Sequence, residues 1–298
     1  MKNRIALWKK VFDTDHNSIS QGLFRLGWDL AAFSCIVEMV RQAPDGDGNN
    51  KRLNGMVLEM LGTGFWSNTM QGVRRLVERE TIHGPRGVCS LRGLIDDAKA
   101  IRHRLTRRVF VEEIAGLEYD HAAIEARYWQ WMMAQPAGEA HWVPQEFHFE
   151  RSRERHITFD GLSGTTPDTR SPDDVIREEV FAALEQRLSA LDGVVDHVNV
   201  KIAHAATEFS RTGRVLPQWN LDDARNAIKE LAQIAQHVGD WLCASGIGTV
   251  LPHPSFDLFA HLDQPLFVGD PQPLRDLWAK LDAEMSEWCR VDTKAPWP

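Results

Sequence analysis

The sequence predicts an all-α protein on three observations. Apolar side chains recur at alternating three- and four-residue steps along most of the chain, the mark of amphipathic helices. Period-two alternation, expected of half-buried strands, is confined to one short stretch. Serine, aspartate and asparagine stand where those helices would begin, and Gly- or Pro-rich turns stand where they would end. The architecture expected is an antiparallel helical bundle with a partly extended insertion and a C-terminal helical tail.

The first helix carries Ile19, Leu23, Leu26, Leu30, Phe33, Val37 and Val40 on one side, with Ser18 as its N-cap and a Pro/Gly/Asn turn from position 44 as its stop. A second spans about residues 53–80, with Val57, Leu61, Val73 and Leu76 inward and Gly62 and Gly64 weakening its middle. Ser90 caps a short helix through Leu91, Leu94, Ile95 and Ala98. Phe110, Ile114, Leu117, His121, Ile124, Tyr128 and Trp131 mark another, stopped before Pro136. These make up a first helical half, residues 1–135.

Residues 136–172 interrupt the pattern. Residues 145–150 alternate and predict a strand, and residues 161–172 are rich in Gly, Thr, Ser, Asp and Pro and predict a loop. A second half, residues 173–248, opens with a long helix capped by Asp173 and ended by Gly213. Its seam is Phe181, Leu184, Leu188, Leu191, Val195, Val198, Ile202, Ala205 and Phe209. An antiparallel partner follows, begun by Asn220, with Leu221, Ala224, Ile228, Leu231, Ala235, Val238 and Leu242 inward. Residues 249–298 form a tail with one helix over about 273–289.

Composition narrows the function classes. A hydrophobic content of 43% and a charged content of 26% over 298 residues suit a folded chain with a sizeable core. No apolar run approaches the ~18 residues of a membrane span, and the first residues do not read as a secretory signal. Cys35, Cys89, Cys243 and Cys289 are widely spaced, which predicts idle thiols in a reducing cytoplasm and no metal site. The net charge of −8 argues against a general nucleic-acid coat, yet leaves room for a local basic patch. No phosphate-binding Gly loop, zinc-binding motif or nucleophile elbow occurs, so no cofactor is expected.

Two basic features stand out. Arg74, Arg75 and Arg79 begin a run that continues through Arg86, Arg92, Lys99, Arg102, Arg104, Arg107 and Arg108. The run predicts either an anionic partner or salt bridges to Glu78, Glu80, Asp96 and Asp97. Arg151, Arg153, Arg155 and His156 form a second cluster, either phosphate-binding or a solvated hairpin. On the long helix, His197, Lys201, His204 and Glu208 fall at i, i+4, i+7 and i+11, one polar stripe opposite the seam.

The stretch Asn199, Lys201, Ala203 and His204 resembles the terminal-helix signature of the HEPN superfamily, closest to its abortive-infection AbiU-type branch. Val73 to Arg79, followed by Ser90, Leu91 and Leu94, is similar to that branch's second segment. Asn220 to Asp223 is similar to the start of its last helix. The resemblance covers roughly residues 18–245 outside the insertion. It implies a helical bundle that pairs with a second copy, works in prokaryotic anti-phage or toxin–antitoxin defence, and cuts RNA without a metal. In that scheme His204 is the acid–base group, Lys201 the phosphate cation, and Asn199 a positioning donor. His197 is a further cation when protonated, and Arg74, Arg75, Arg151 and Arg153 hold RNA. The family's motif arginine would stand at positions 197–199, where this chain has His197, Val198 and Asn199. Two expectations follow: a ribonuclease relying on Lys201, or a non-catalytic binder of RNA or a partner protein, such as an antitoxin. In a third, the stripe is solvated surface and the tail carries the interaction.

Overall fold

The computed structural model describes residues 1–44, 54–136, 138–198, 202, 218–251, 254–262 and 269–288. Two compact units separate at position 252. Among the described residues the first is all-α, with a lone antiparallel bridge between Thr106 and Val175 and no strand.

The first unit opens with α1 (Lys2–Lys9), which continues into a π-helical turn through Thr14. This helix goes beyond what the sequence predicted. Trp8, fully buried, anchors it by donating Nε1–H to Asp97 Oδ2 at 2.7 Å. Helix α2 (Ile19–Gln42) begins where expected, with Ser18 Oγ accepting from the Gln21 amide at 3.3 Å.

Helix α3 (Gly55–Leu76) packs along α2 in the antiparallel sense. Phe33 stacks on Phe65 with centroids 4.1 Å apart. A Cβ at Gly72 would sit 2.8 Å from Leu26 Cδ2, and one at Gly22 would sit 2.1 Å from Arg75 Nη2. The two glycines therefore let the helices approach closely at one end of the pair.

Helix α4 (Leu91–Ala100) is capped by Ser90, which accepts from the Gly93 amide at 3.0 Å. Its Leu91, Leu94, Ile95 and Ala98 lie at the centre of the core. The helix expected over residues 110–131 is broken instead. A π-helical turn (Val109–Ile114) ends before Gly116, whose φ of 67° closes the turn, and α5 (His121–Met133) restarts under an Asp120 cap.

The largest correction lies in residues 136–172. Where a strand and loop were expected, Gln145–Phe147 is a 3-10 turn and α6 spans Phe149–Ser163, closed by Gly164 at φ 75°. Its buried face is Phe149, Ser152, Arg155, His156, Phe159 and Leu162, and Phe159 and Leu162 join the same core as α4. Half of that face is polar, which hides the helical period from a count of apolar residues. Each polar member meets a partner. Ser152 Oγ donates to the Glu118 carbonyl at 2.7 Å, and His156 Nε2 reaches the Tyr119 carbonyl at 2.8 Å. Arg155 lies 3.8 Å over the Phe110 ring and donates to Asp240 Oδ1 at 2.9 Å.

The long helix of the second half also differs. α7 (Glu178–Ser189) starts later than Asp173, and after a break at Ala190 and Leu191 comes α8 (Asp192–His197). The break shifts the seam by one residue, so Val194 is buried and Val195 only partly so. Helix α9 (Leu221–Val238) carries a capping box between Asn220 and Asp223 and buries Ala224, Ala227, Ile228, Leu231, Ile234, Ala235 and Val238. It packs mainly on α2 and to a smaller extent on α7. In the second unit, α10 spans Gln272–Trp288. Among the described residues no helix is long and apolar enough to cross a membrane.

Candidate functional site, an arginine cleft

Most of the basic run serves the fold. Arg92 is 1% exposed, and its guanidinium reaches Asp192 at 2.8 Å, Glu185 at 3.1 Å and the Val77 carbonyl at 2.9 Å. Arg79 shares the same two carboxylates from the surface. Arg107 is fully buried between Asp160 and Asp174, both at 2.9 Å, and donates to the His156 carbonyl and to Thr165. Lys99 and Arg102 lie within 4.0 Å of Glu178, and Arg108 covers the Tyr119 ring. The salt-bridge reading of the run therefore holds for Arg79, Arg92, Lys99, Arg102 and Arg107, with acids from α6, α7 and α8 and the turn before α7 in place of those expected.

Arg74 and Arg75 stand apart. Both lie in the last turn of α3, half-buried in the groove against α2, where a cleft of about 680 Å³ opens. Arg25, Asp29, Asn68, Gln71 and Glu78 share its lining. Arg74 Nε lies 3.6 Å from Glu78 Oε2, a loose i,i+4 pair. Arg75 has no carboxylate partner among the described residues, and its buried Nε meets no hydrogen-bond acceptor. Burial first, and then the like charge of Arg25, push the Arg75 guanidinium below its usual value. It remains a cation in any aqueous range. Burial raises the Asp29 carboxyl on the same wall.

Such a site is built for an anion. A half-buried guanidinium facing a second cation, with its donors unspent, gains most from an incoming oxyanion that accepts two parallel hydrogen bonds. Gly22 contributes by leaving the space in which that guanidinium lies. Arg25, Asp29, Asn68 and Gln71 were not among the candidates expected from sequence. Their signal was present but faint: a glycine inside each of two amphipathic helices, at positions that bring the polar side chains around them together.

The other candidates fall elsewhere. Arg151 and Arg153 lie on the exposed face of α6, with Arg153 5.8 Å over the Phe149 ring, and neither lines the cleft. Their sequence neighbours Arg155 and His156 point inward, so the expected basic cluster is split by the helix. His197 is half-buried at the end of α8, and Asn199, Lys201 and His204 lie outside the described residues. Among the described residues, no group of three or more His, Cys, Asp and Glu side chains is arranged to hold a metal ion. Comparison with protein-family models, curated protein sequences and solved structures finds no match to this chain.

Proposed function

We propose that this chain is an RNA-binding protein of the HEPN-like kind, working in anti-phage defence or as a toxin paired with an antitoxin. It holds RNA phosphate at the α2–α3 arginine cleft and cuts the strand without a metal at a site shared by two copies. The observation that supports it is Arg75, a half-buried guanidinium that, like Arg25 on the same cleft, has no carboxylate partner among the described residues. Placement adds to this: α3, which bears Arg74 and Arg75, packs on α8, the helix that leads by sequence into Asn199, Lys201 and His204.

In this scheme His204 takes the proton of the attacking 2′-hydroxyl, because an imidazole titrates near neutral pH. Lys201 offsets charge developing on the phosphate, Asn199 donates a hydrogen bond, and His197 of either copy adds a charge when protonated. The test is a labelled RNA incubated with pure protein in EDTA. Fragments ending in cyclic phosphate are expected, and they disappear in His204→Ala protein that keeps its helical circular dichroism. Full cleavage by that variant would remove His204 from the mechanism.

One observation favours a second reading. The motif arginine is absent, with His197, Val198 and Asn199 in its place, so a protein that binds RNA and never cuts it is the alternative. Retention of RNA on the wild type, with no fragments at any protein concentration, selects it.

A further inference from the structure

A protein that tracks a nucleic-acid strand spreads its cations along a groove, one phosphate after another. Here the basic run over residues 74–108 is largely consumed by internal pairs to Asp160, Asp174, Glu178, Glu185 and Asp192. Among the described residues Arg86, Arg104 and Arg108 of that run make no salt bridge either, but of the arginines without one it is Arg75, with Arg25 of α2, that lines a cleft of about 680 Å³. That volume lies within the range of about 300–1,000 Å³ typical of pockets for a single small ligand.

The rest of the lining points the same way. Asp29 makes no ion pair with Arg25, four residues before it on α2. A carboxylate repels a second phosphate, but it accepts a hydrogen bond from a sugar hydroxyl. Asn68 and Gln71, both on the exposed rim, offer amide donors and acceptors of the kind that pair with base edges.

Resting on the RNA reading above, we infer that the cleft holds one terminal nucleotide of an RNA strand. Its phosphomonoester lies on Arg25 and Arg75, its ribose hydroxyl on Asp29, and its base toward Asn68 and Gln71. A phosphomonoester carries about −1.5 to −2 charges and three acceptor oxygens, whereas an internal phosphodiester carries a single charge. Two guanidiniums that make no ion pair among the described residues therefore favour an end over the middle of a strand.

The test is fluorescence polarisation of the full chain with short single-stranded RNAs that end in a phosphate or a hydroxyl, at the 5′ or the 3′ end. Inorganic phosphate serves as a separate probe. One phosphorylated end is expected to bind roughly tenfold tighter than its hydroxyl counterpart, about one good charge-assisted contact. Arg75→Gln removes that preference. So does Gly22→Ala, which keeps every charge but places a methyl group where Arg75 Nη2 now lies, 2.1 Å from the new Cβ. Asp29→Asn narrows the preference for an RNA end over the matching DNA end. Equal affinity for phosphate and hydroxyl at both ends overturns the inference and leaves RNA binding standing. Arg75-dependent binding of inorganic phosphate, with no RNA bound, removes the RNA reading instead and reassigns the cleft to a small phosphorylated molecule.

Discussion

Arg107 and Arg75 are the same side chain in opposite circumstances. Arg107 is fully buried, yet it is the better satisfied: two carboxylates, a carbonyl and a hydroxyl consume its donors, and its guanidinium lies 5.0 Å over the Phe159 ring. Arg75 is only half-buried, but its Nε has no acceptor among the described residues, and the charge that acts on it most is another arginine, Arg25. A buried cation whose donors are all met is part of the scaffold. Arg92 and Arg155 also keep one unmet nitrogen each, but on guanidiniums already paired with acids; a partly desolvated cation with no carboxylate among the described residues is held in readiness for something else. The difference divides a basic run that looks uniform in sequence into structure and site.

Removing the satisfied arginine has the largest expected effect. Arg107→Met leaves Asp160 and Asp174 facing a buried space without their cation, apart from the Arg170 pair that Asp160 keeps at 2.6 Å. Stripping one partner from a buried ion pair costs about 3–5 kcal/mol. Urea unfolding is expected to show a loss of that size, and a loss below about 1 kcal/mol would mean that Arg107 is not the keystone of the α6 contact.

A smaller effect comes from pH at the same cluster. His156 is buried, donates Nε2–H to the Tyr119 carbonyl, and accepts Arg107 at its own carbonyl. Burial first, and then the charges of Arg107, His121 and Arg170, hold its imidazole below the ordinary 6.5, outweighing the opposing pull of the Tyr119 carbonyl. The unfolded chain therefore takes up this proton before the folded one does. His156 contributes fully above pH 6.5, and its contribution is lost as pH falls through that value toward the lower folded one. Thermal melts across that window should show stability falling with acid, and the fall should be shallower in His156→Gln, whose amide can still donate to the Tyr119 carbonyl. An unchanged slope would show that the cluster tolerates a second charge after all.

Legibility followed the range of the interactions. The starts of α2, α4 and α9 could be read at Ser18, Ser90 and Asn220 because a cap and its helix lie within a few residues. α6 could not, since Ser152, Arg155 and His156 are buried only by virtue of Glu118, Asp240 and Tyr119, which come from elsewhere in the chain. The break between α7 and α8 was equally hidden. Asp192 and Gly193 are poor helix formers, but Asp192 is also held by Arg92 from α4. The same limit governs the site. Arg74 and Arg75 were visible as charge, but which arginine would stay unpaired depended on where Glu185, Asp192, Asp160 and Asp174 came to lie.

The smallest effect is the most discriminating, because its sign is opposite to that at Arg107. A half-buried cation without an anion is a burden on the fold: it gives up hydration and receives no ion pair in exchange. Arg75→Met keeps most of the aliphatic stem and discards the charged guanidinium that lies against Gly22. The melting temperature is expected to rise by about 2 °C, which for a chain of this size is about 1 kcal/mol. Inorganic phosphate is expected to raise the melting temperature of the wild type while leaving the Arg75→Met variant where it is, since only a ligand that binds the folded state shifts the midpoint. Sites kept for ligands at the expense of stability behave in this way. A drop in melting temperature for Arg75→Met, comparable to that of Arg107→Met, would show that Arg75 too is a structural residue, and the distinction between the two arginines would go with it.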